Sequence, residues 1–469
     1  MSKPGKLGAS FRDPNGFLFS EGGVLYRQIN QQYKSDYRQL HESGLYDLLV
    51  KRGWITAYSE TDHPGLKPEI AFRVVKPTPL PFISYPYEWS FSQLKDTALL
   101  TLKIQKAALN HGMSLKDSSA YNIQFDLSTG KPILIDTLSF EKLKEGQPWV
   151  AYRQYCQHFL GPLALMAYTD IRLSQLSRIH IDGAPLSLVS ELLPARTRLN
   201  FGLLSHIHLH AKAQERYADA DQAKVNRPMS RTNLLAIIDS LERTTQKLTW
   251  EVGGTEWGNY YQDTNYSEEA LSHKKTVIKN FLGTASPQVV WDLGANTGLF
   301  SRIAAAAGIN TVALDIDPAA VELNYLQVKA GKESNLLPLL TDLTNPSPDL
   351  GWDNRERDSL FRRGKPDLVM ALALVHHLAI SNNVPLEMIA AMLNRLAPWL
   401  IIEFIPKEDS QVQRLLSTRE DIFEHYHQQG FEQAFQQYFT LKAVEAIPTS
   451  TRQLYLFSRI DQVLSLIHI

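Results

Sequence analysis

One cysteine, Cys156, is all that the 469-residue chain carries. A single thiol excludes a disulfide framework and a cysteine-based zinc site within the chain. Its Tyr-Cys-Gln-His setting among apolar residues reads as a small packed hydrophobe. Long apolar runs are missing as well. No stretch approaches the roughly 20 residues that a membrane span needs. The N-terminus, MSKPGKLGASFRDPNG, lacks the apolar core of a secretory signal. A cytoplasmic protein with no membrane partner is therefore expected. Charge of one sign is absent too: 48 Lys and Arg face 49 Asp and Glu, a net charge of −1. That balance gives no bulk electrostatic reason to expect nucleic acid as a partner. Internal repeats and low-complexity tracts are also lacking. What is present is an ordinary globular composition, 44% hydrophobic and 21% charged. Single hydrophobic cores stop growing at roughly 250–300 residues, so two domains are expected.

The clearest seam lies near Asp219–Thr249. Leu234–Leu248 reads as an amphipathic helix, with Leu234, Ile237, Ile238 and Leu241 on one face. Trp250-Glu-Val-Gly-Gly then breaks the pattern. This places one domain at 1–245 and a second at 250–460. From Val289 onward, apolar strand-like runs alternate with helical stretches: VVWDLG, LFSRIAAAAG, TVALDI, PAAVELNYLQVKAG, LLPLL, DLVMALALV and WLIIEFI. Such alternation predicts a parallel sheet covered by helices. Asp421–Tyr438 reads as helical and Arg452–Ser458 as the last strand. No function is assigned to the apolar tail Val463–Ile469. The first half reads as α+β. Gly16–Ile29 forms a hairpin turning at Gly22-Gly23, Glu42–Lys51 a helix, Ala71–Val75 a strand and Ser92–Asn110 a strong helix. Two short strands, NIQF and PILID, flank a turn at Asp126–Lys131, and a mostly helical segment follows.

The chemistry of the second half starts at Val289–Ala306. Strand VVWDL enters the turn Gly294-Ala-Asn-Thr-Gly298, and a helix leaves it. Gly294 and Gly298 allow a tight turn around Asn296 and close approach of backbone to a ligand. Helix N-terminal amides then face whatever sits over the turn. The spacing is G-x-x-x-G rather than G-x-G-x-x-G, which argues against NAD. Asp292 adds a carboxylate that is unwelcome beside pyrophosphate but suits a cationic amino group. The next strand ends at Asp315, about 20 residues after Gly294, where an acid can hydrogen-bond ribose hydroxyls. Asp317 competes for that role, although Asp317-Pro318 reads as the cap of the next helix. Asp342, after LLPLL, is placed to reach an adenine amino group.

These residues resemble the class I S-adenosylmethionine-dependent methyltransferases. VVWDLGANTGLFSRIA is similar to the family's glycine-rich first motif and VALDID to its second, and the likeness runs from about Trp250 to Arg459. The resemblance implies a Rossmann-like α/β fold, a seven-stranded sheet with a reversed last hairpin. It also implies S-adenosylmethionine as cofactor, and methyl transfer. It places the loop after the fourth strand, Val375-His376-His377-Leu378, beside the transferred methyl. Enzymes of the family that methylate amide or base nitrogens carry Asn/Asp-Pro-Pro-aromatic there, so a hydroxyl or similar group of a small molecule or glycan is the expected acceptor. His376 or His377 is then a candidate general base, histidine titrating near neutrality; the alternative is that the pair only caps the strand. Glu403, ending WLIIEFI, stands at the ligand-facing edge of the sheet and either shapes the acceptor site or solvates an edge. Trp257–Tyr266, with Tyr261, is similar to segments that close over the methionine moiety, or else is a linker packed on the sheet.

Leu115–Asn122 resembles a different family. Asp117 and Asn122 are followed by two short strands and then Asp136. In phosphotransferases of the protein-kinase-like fold, and the aminoglycoside-kinase branch above all, an Asp accepts the hydroxyl proton. An Asn and a later Asp hold Mg²⁺. The pattern departs from that family in lacking a glycine-rich loop, in having only Arg27 or Lys76 for the strand lysine, and in following Asp136 with Thr-Leu-Ser. A degenerate module that selects or positions the acceptor is expected. A bifunctional kinase–methyltransferase and a protein that binds S-adenosylmethionine without turnover are the alternatives.

Overall fold

A computed structural model describes residues 5–216, 229–253, 267–417 and 419–460. The chain divides into two compact units. The first takes in the described residues up to Asp126, then those of Lys131–Glu251, and Pro348–Ser359; the second takes Leu127–Gly130, the described residues of Val252–Ser347, and those from Leu360 on. Pro348–Ser359, which follows the third strand of the methyltransferase-like pattern in sequence, thus belongs to the first unit.

The first unit is α+β. Strands β1 (Gly5–Lys6), β2 (Gly16–Glu21), β3 (Val24–Asn30), β4 (Tyr58–Thr61) and β5 (Ala71–Pro77) form an antiparallel sheet in the order β1-β2-β3-β5-β4. Gly22 and Gly23 both take positive φ, +59° and +80°, the backbone that a two-residue hairpin turn requires. Where one helix was expected at Glu42–Lys51 there are two, Lys34–Glu42 and Leu45–Lys51; Gly44, left-handed at φ +73°, separates them. Helix Phe91–Asn110 starts with a capping box of Ser90 and Gln93 and buries Leu94, Ala98, Leu102 and Ile104. Beyond it, β6 (Met113–Leu115) pairs with β9 (Phe140–Lys142), and β7 (Ile123–Asp126) with β8 (Lys131–Leu134). Helix Arg231–Lys247 buries Leu234, Ile238 and Leu241. Cys156 is buried, and burial pushes its thiol pKa up.

The second unit is built on a seven-stranded sheet of β10 (Val289–Leu293), β11 (Asn310–Asp315), β12 (Leu336–Leu340), β13 (Leu368–Ala371), β14 (Trp399–Phe404), β15 (Phe439–Ala446) and β16 (Gln453–Arg459). Their order is β12-β11-β10-β13-β14-β16-β15. The first five run parallel, and β16 is antiparallel to both β14 and β15. This is the Rossmann-like sheet with a reversed last hairpin that the resemblance implied. Val290, Leu368, Met370, Ile401 and Leu456 pack one face against Ile278 and Phe281 of helix Glu268–Ala285. Two expected elements are shorter than the sequence pattern indicated. Strand β13 stops at Ala371, because Ala373 turns the chain at φ +51°. Within Asp421–Tyr438 only Gln428–Gln436 is helical, starting where His427 Nδ1 accepts from Gly430 N–H at 3.0 Å. Among the described residues no helix is long and apolar enough to cross a membrane.

Candidate functional site

In an open α/β sheet, ligands gather beyond the carboxyl ends of the strands. In the second unit a cavity of about 340 Å³ lies there, with Gly294, Asn296, Asp292 and Asp315 in its wall. The turn that shapes it is held by left-handed residues: Gly294 at φ +73°, Asn296 at +49° and Gly298 at +78°. The two glycines do different jobs. A Cβ on Gly294 would come within 3.2 Å of Leu374 Cδ1, whereas one on Gly298 would collide with the Asn324 amide at 2.5 Å. Gly298 thus also packs the turn closely against Asn324 of helix Pro318–Gly331.

Asp315 ends β11 with both oxygens engaged by backbone. Oδ2 accepts from Asn296 N–H at 2.7 Å and Oδ1 from Asp317 N–H at 2.9 Å. Burial raises its pKa to about 6. Asp317 instead caps helix Pro318–Gly331, accepting from Ala319 N–H at 2.7 Å. Asp292 accepts from the Ser301 hydroxyl at 2.6 Å, and burial lifts its pKa to about 7. Asp342 does not line the cavity; its Oδ1 accepts from Thr344 N–H at 2.8 Å and from the Thr344 hydroxyl at 2.6 Å. Tyr261, with the rest of Trp257–Tyr266, lies outside the described residues.

Among the lining residues to which the sequence assigned no role are Leu271, Lys274, Phe300 and Ile316. Ile316 is 57% exposed directly after Asp315, and an isoleucine presented to water at a strand end was a signal available in the sequence. Lys274 is wholly buried, its Nζ 2.8 Å from Glu403 Oε2 and 4.5 Å from the centroid of the Phe300 ring. Burial lowers its pKa, and the charge of Glu403 opposes that. Glu403 therefore does not solvate an edge of the sheet: it is fully buried against Lys274. A lysine inside the apolar stripe Ala270–Lys274–Val277–Ile278 was the available hint.

The two histidines separate. His377 lines the cavity at the start of a short π-helical turn, His377–Ser381, and burial lowers its pKa to about 4. His376 is outside the lining; its Nδ1 makes no hydrogen bond among the described residues, and burial drives its pKa well below the usual histidine range. The rings lie 4.1 Å apart.

The first unit has its own cavity, of about 550 Å³, and Asp117, Asn122 and Asp136 all line it. Arg27 lines it too, forming an ion pair with Asp136 from the middle of β3; Lys76 does not line it. Asp136 also accepts from the Ser139 hydroxyl at 2.6 Å and from Leu138 N–H at 3.2 Å. Burial would raise its pKa, but Arg27 and these donors outweigh burial and hold it below the usual carboxylate range. Asp117 accepts from Ser119 N–H at 2.9 Å and Gln154 Nε2 at 2.8 Å, and Asn122 donates to Ser139 Oγ at 3.3 Å. Among the described residues, no group of three or more His, Cys, Asp or Glu side chains is poised to hold a metal ion.

No family model matches the chain. Solved structures that resemble it in part include two methyltransferases. Magnesium protoporphyrin IX methyltransferase from Synechocystis PCC 6803, with bound SAH, is 18% identical with a TM-score of 0.31, over 44% of this chain and 93% of that one. The bifunctional kinase-methyltransferase WbdD is 16% identical with a TM-score of 0.31, over 44% of this chain and 43% of that one. The relation to the nodulation protein NoeA of Rhizobium meliloti (strain 1021) is of another order, 36% identity over 473 residues and 97% of each chain. On that full-length identity, the chain belongs to the family of the nodulation protein NoeA.

Proposed function

We propose that the second unit binds S-adenosylmethionine and transfers its methyl group to a hydroxyl or similar group of a small molecule or glycan, which the first unit selects or presents. The observation that carries this reading is the meeting of Asp315, Asp292 and the Gly294 turn in one cavity. The residues present fit such a donor. Each oxygen of Asp315 takes one backbone N–H and keeps acceptor capacity for ribose hydroxyls. Asp292, buried and pushed up to about 7, would be drawn to its charged form by a cationic amino group. Leu271, Phe300 and Ile316 add apolar wall.

S-adenosylmethionine would supply a methyl group activated on a positively charged sulfur. His377 is the residue we assign to the acceptor. With its pKa lowered to about 4 by burial the ring is neutral around pH 7, so it can accept a hydrogen bond from an acceptor hydroxyl, although as a weaker base than a free imidazole. The absence of Asn/Asp-Pro-Pro-aromatic in Val375–Leu378 favours a hydroxyl over a base nitrogen.

Calorimetry with S-adenosylmethionine and S-adenosylhomocysteine, followed by an acceptor screen, tests this. Asp315→Ala should cost about 1.5–3 kcal/mol of donor binding, roughly 10–150-fold in affinity. No donor binding, or equal binding by Asp315→Ala, would sink the site. Donor binding with no turnover on any acceptor would favour a sensing role.

A further inference from the structure

We infer that the cavity of the first unit is a second ligand site, for a hydroxylated anion of monosaccharide size: a sugar phosphate or a sugar acid. This goes beyond the methyl-transfer reading and uses none of the donor-site residues. Its volume, about 550 Å³, falls within the usual range for small-molecule pockets.

Four cationic side chains line it: Arg12, Arg27, Lys116 and Arg357. Two are already matched by acids. Arg12 pairs with Glu356 at 2.7 Å and Asp182 at 2.9 Å, and Arg27 pairs with Asp136. Neither of the other two forms a salt bridge among the described residues, although the charge of Lys116 acts on Asp13 across the wall. Lys116 is half-buried, with its Nζ 4.8 Å from the centroid of the Tyr33 ring. Arg357 lies over Tyr121 at 4.5 Å and donates from Nη1 to the Glu356 carbonyl at 2.9 Å, while its Nε is buried with no hydrogen-bond partner. A buried guanidinium donor without an acceptor is unfavourable, and an incoming anion relieves it.

The remaining acids of the wall complete the specification. Asp13 accepts from Asn15 N–H at 2.8 Å, and Asp117 only from Ser119 N–H and Gln154 Nε2. Both keep acceptor capacity on Oδ2 that hydroxyl donors can use. A bare inorganic anion brings no array of hydroxyl donors to these carboxylates, and a neutral sugar brings no negative charge to Lys116 and Arg357; a sugar carrying phosphate or carboxylate answers both. A metal–nucleotide complex fits less well. Arg27 already neutralises Asp136, and the β2–β3 turn is two glycines, too short to wrap phosphates.

Thermal melts and calorimetry on the full chain test the inference, using glucose 6-phosphate, glucuronate, glucose, and ATP with and without Mg²⁺. One of the two charged sugars is expected to bind and raise Tm, and which one does tells phosphate from carboxylate. Glucose should not bind. Arg357→Gln and Lys116→Gln should each weaken that binding roughly 10–100-fold, with Arg357→Lys intermediate. If Arg357→Gln fails to fold, Lys116→Gln carries the test alone. The inference is overturned if neither charged sugar binds at millimolar concentration. Equal binding by wild type and the Gln variants overturns it too, as does ATP binding that requires Mg²⁺.

Discussion

Asp315 closes β11 and Asp136 follows β8 by two residues, both acids at strand ends, yet their surroundings are opposite. Asp315 and its neighbour Asp292 are buried with neutral donors as their hydrogen-bond partners, so burial dominates and raises their pKa values to about 6 and 7. Asp136 has a guanidinium against it, and there the counter-charge overcomes burial. The first arrangement holds acids whose charge a cation must complete. The second holds an acid already neutralised from within. One residue type at one kind of position thus serves two purposes, decided by whether a cation from elsewhere in the chain pairs with it directly.

The largest effect is expected at His377, the lining residue that we assign to the acceptor. His377→Gln should lower turnover about 10²–10⁴-fold on the true acceptor with donor affinity little changed. Because burial holds its pKa near 4, the wild-type rate should fall on acidification near pH 4 and not near 6.5, and the variant should lose that limb. Were His377→Gln to keep near-normal turnover, or were His376→Gln alone to abolish it, the assignment to His377 would be wrong.

Next comes the buried pair that the donor cavity does keep. Lys274→Met leaves the Glu403 carboxylate buried without its cation, and should destabilise the second unit by about 3–5 kcal/mol. Chemical denaturation should show this. The double variant Lys274→Met/Glu403→Leu should recover most of the loss, since well-packed apolar residues often replace a buried ion pair at little cost. A single variant as stable as wild type would show that the pair holds nothing together.

Arg27→Gln should convert Asp136 toward the state of Asp315. Asp136 is held below its usual range, so it contributes stability that is present above about pH 4 and lost as pH falls through its lower folded value. Without the guanidinium, burial raises its pKa. The variant should be about 1–3 kcal/mol less stable at pH 7, and the gap should shrink toward pH 4. A pH-independent difference would show that Arg27 acts by packing alone.

The smallest effect is expected at Asp292. Its folded pKa is raised, so the folded state holds a proton that the unfolded chain gives up between about pH 4 and 7, and stability falls as pH rises through that window. Asp292→Asn should therefore be more stable than wild type at pH 8, on the order of 1 kcal/mol, while binding S-adenosylmethionine more weakly. A variant that gains stability and keeps full donor affinity would remove Asp292 from the site.

Much of the Gly294–Gly298 turn was legible because its signals are local. A β-branched and apolar strand, G-x-x-x-G, a helix and an acid about 20 residues on all lie within β10, β11 and what joins them, and parallel pairing of those strands brings Asp292 and Asp315 to one edge. The hairpin of β2 and β3 was legible for a similar reason: two adjacent glycines supply the two positive φ values of the tightest turn. Where the expectation overran, as at Leu372–Leu374 and in the stretch before Gln428, apolar or helix-forming composition continued past the point where Ala373 or the His427 cap stops the element.

Sequence alone determined the alternation of parallel strands and helices in the second unit, the acids at its strand ends and the hairpin of the first unit, while the strand order was what the family resemblance implied. Periodicity and turn residues act over a few positions, whatever the rest of the chain does. Tertiary structure decided which charges meet. Lys274 and Glu403 are 129 positions apart, and Arg27 and Asp136 are 109 apart. Arg357 belongs to the first unit although it lies in sequence between two strands of the second unit's sheet, β12 and β13. No local pattern encodes such meetings, because a charge changes its energy only with the burial and the partner that the folded chain brings to it.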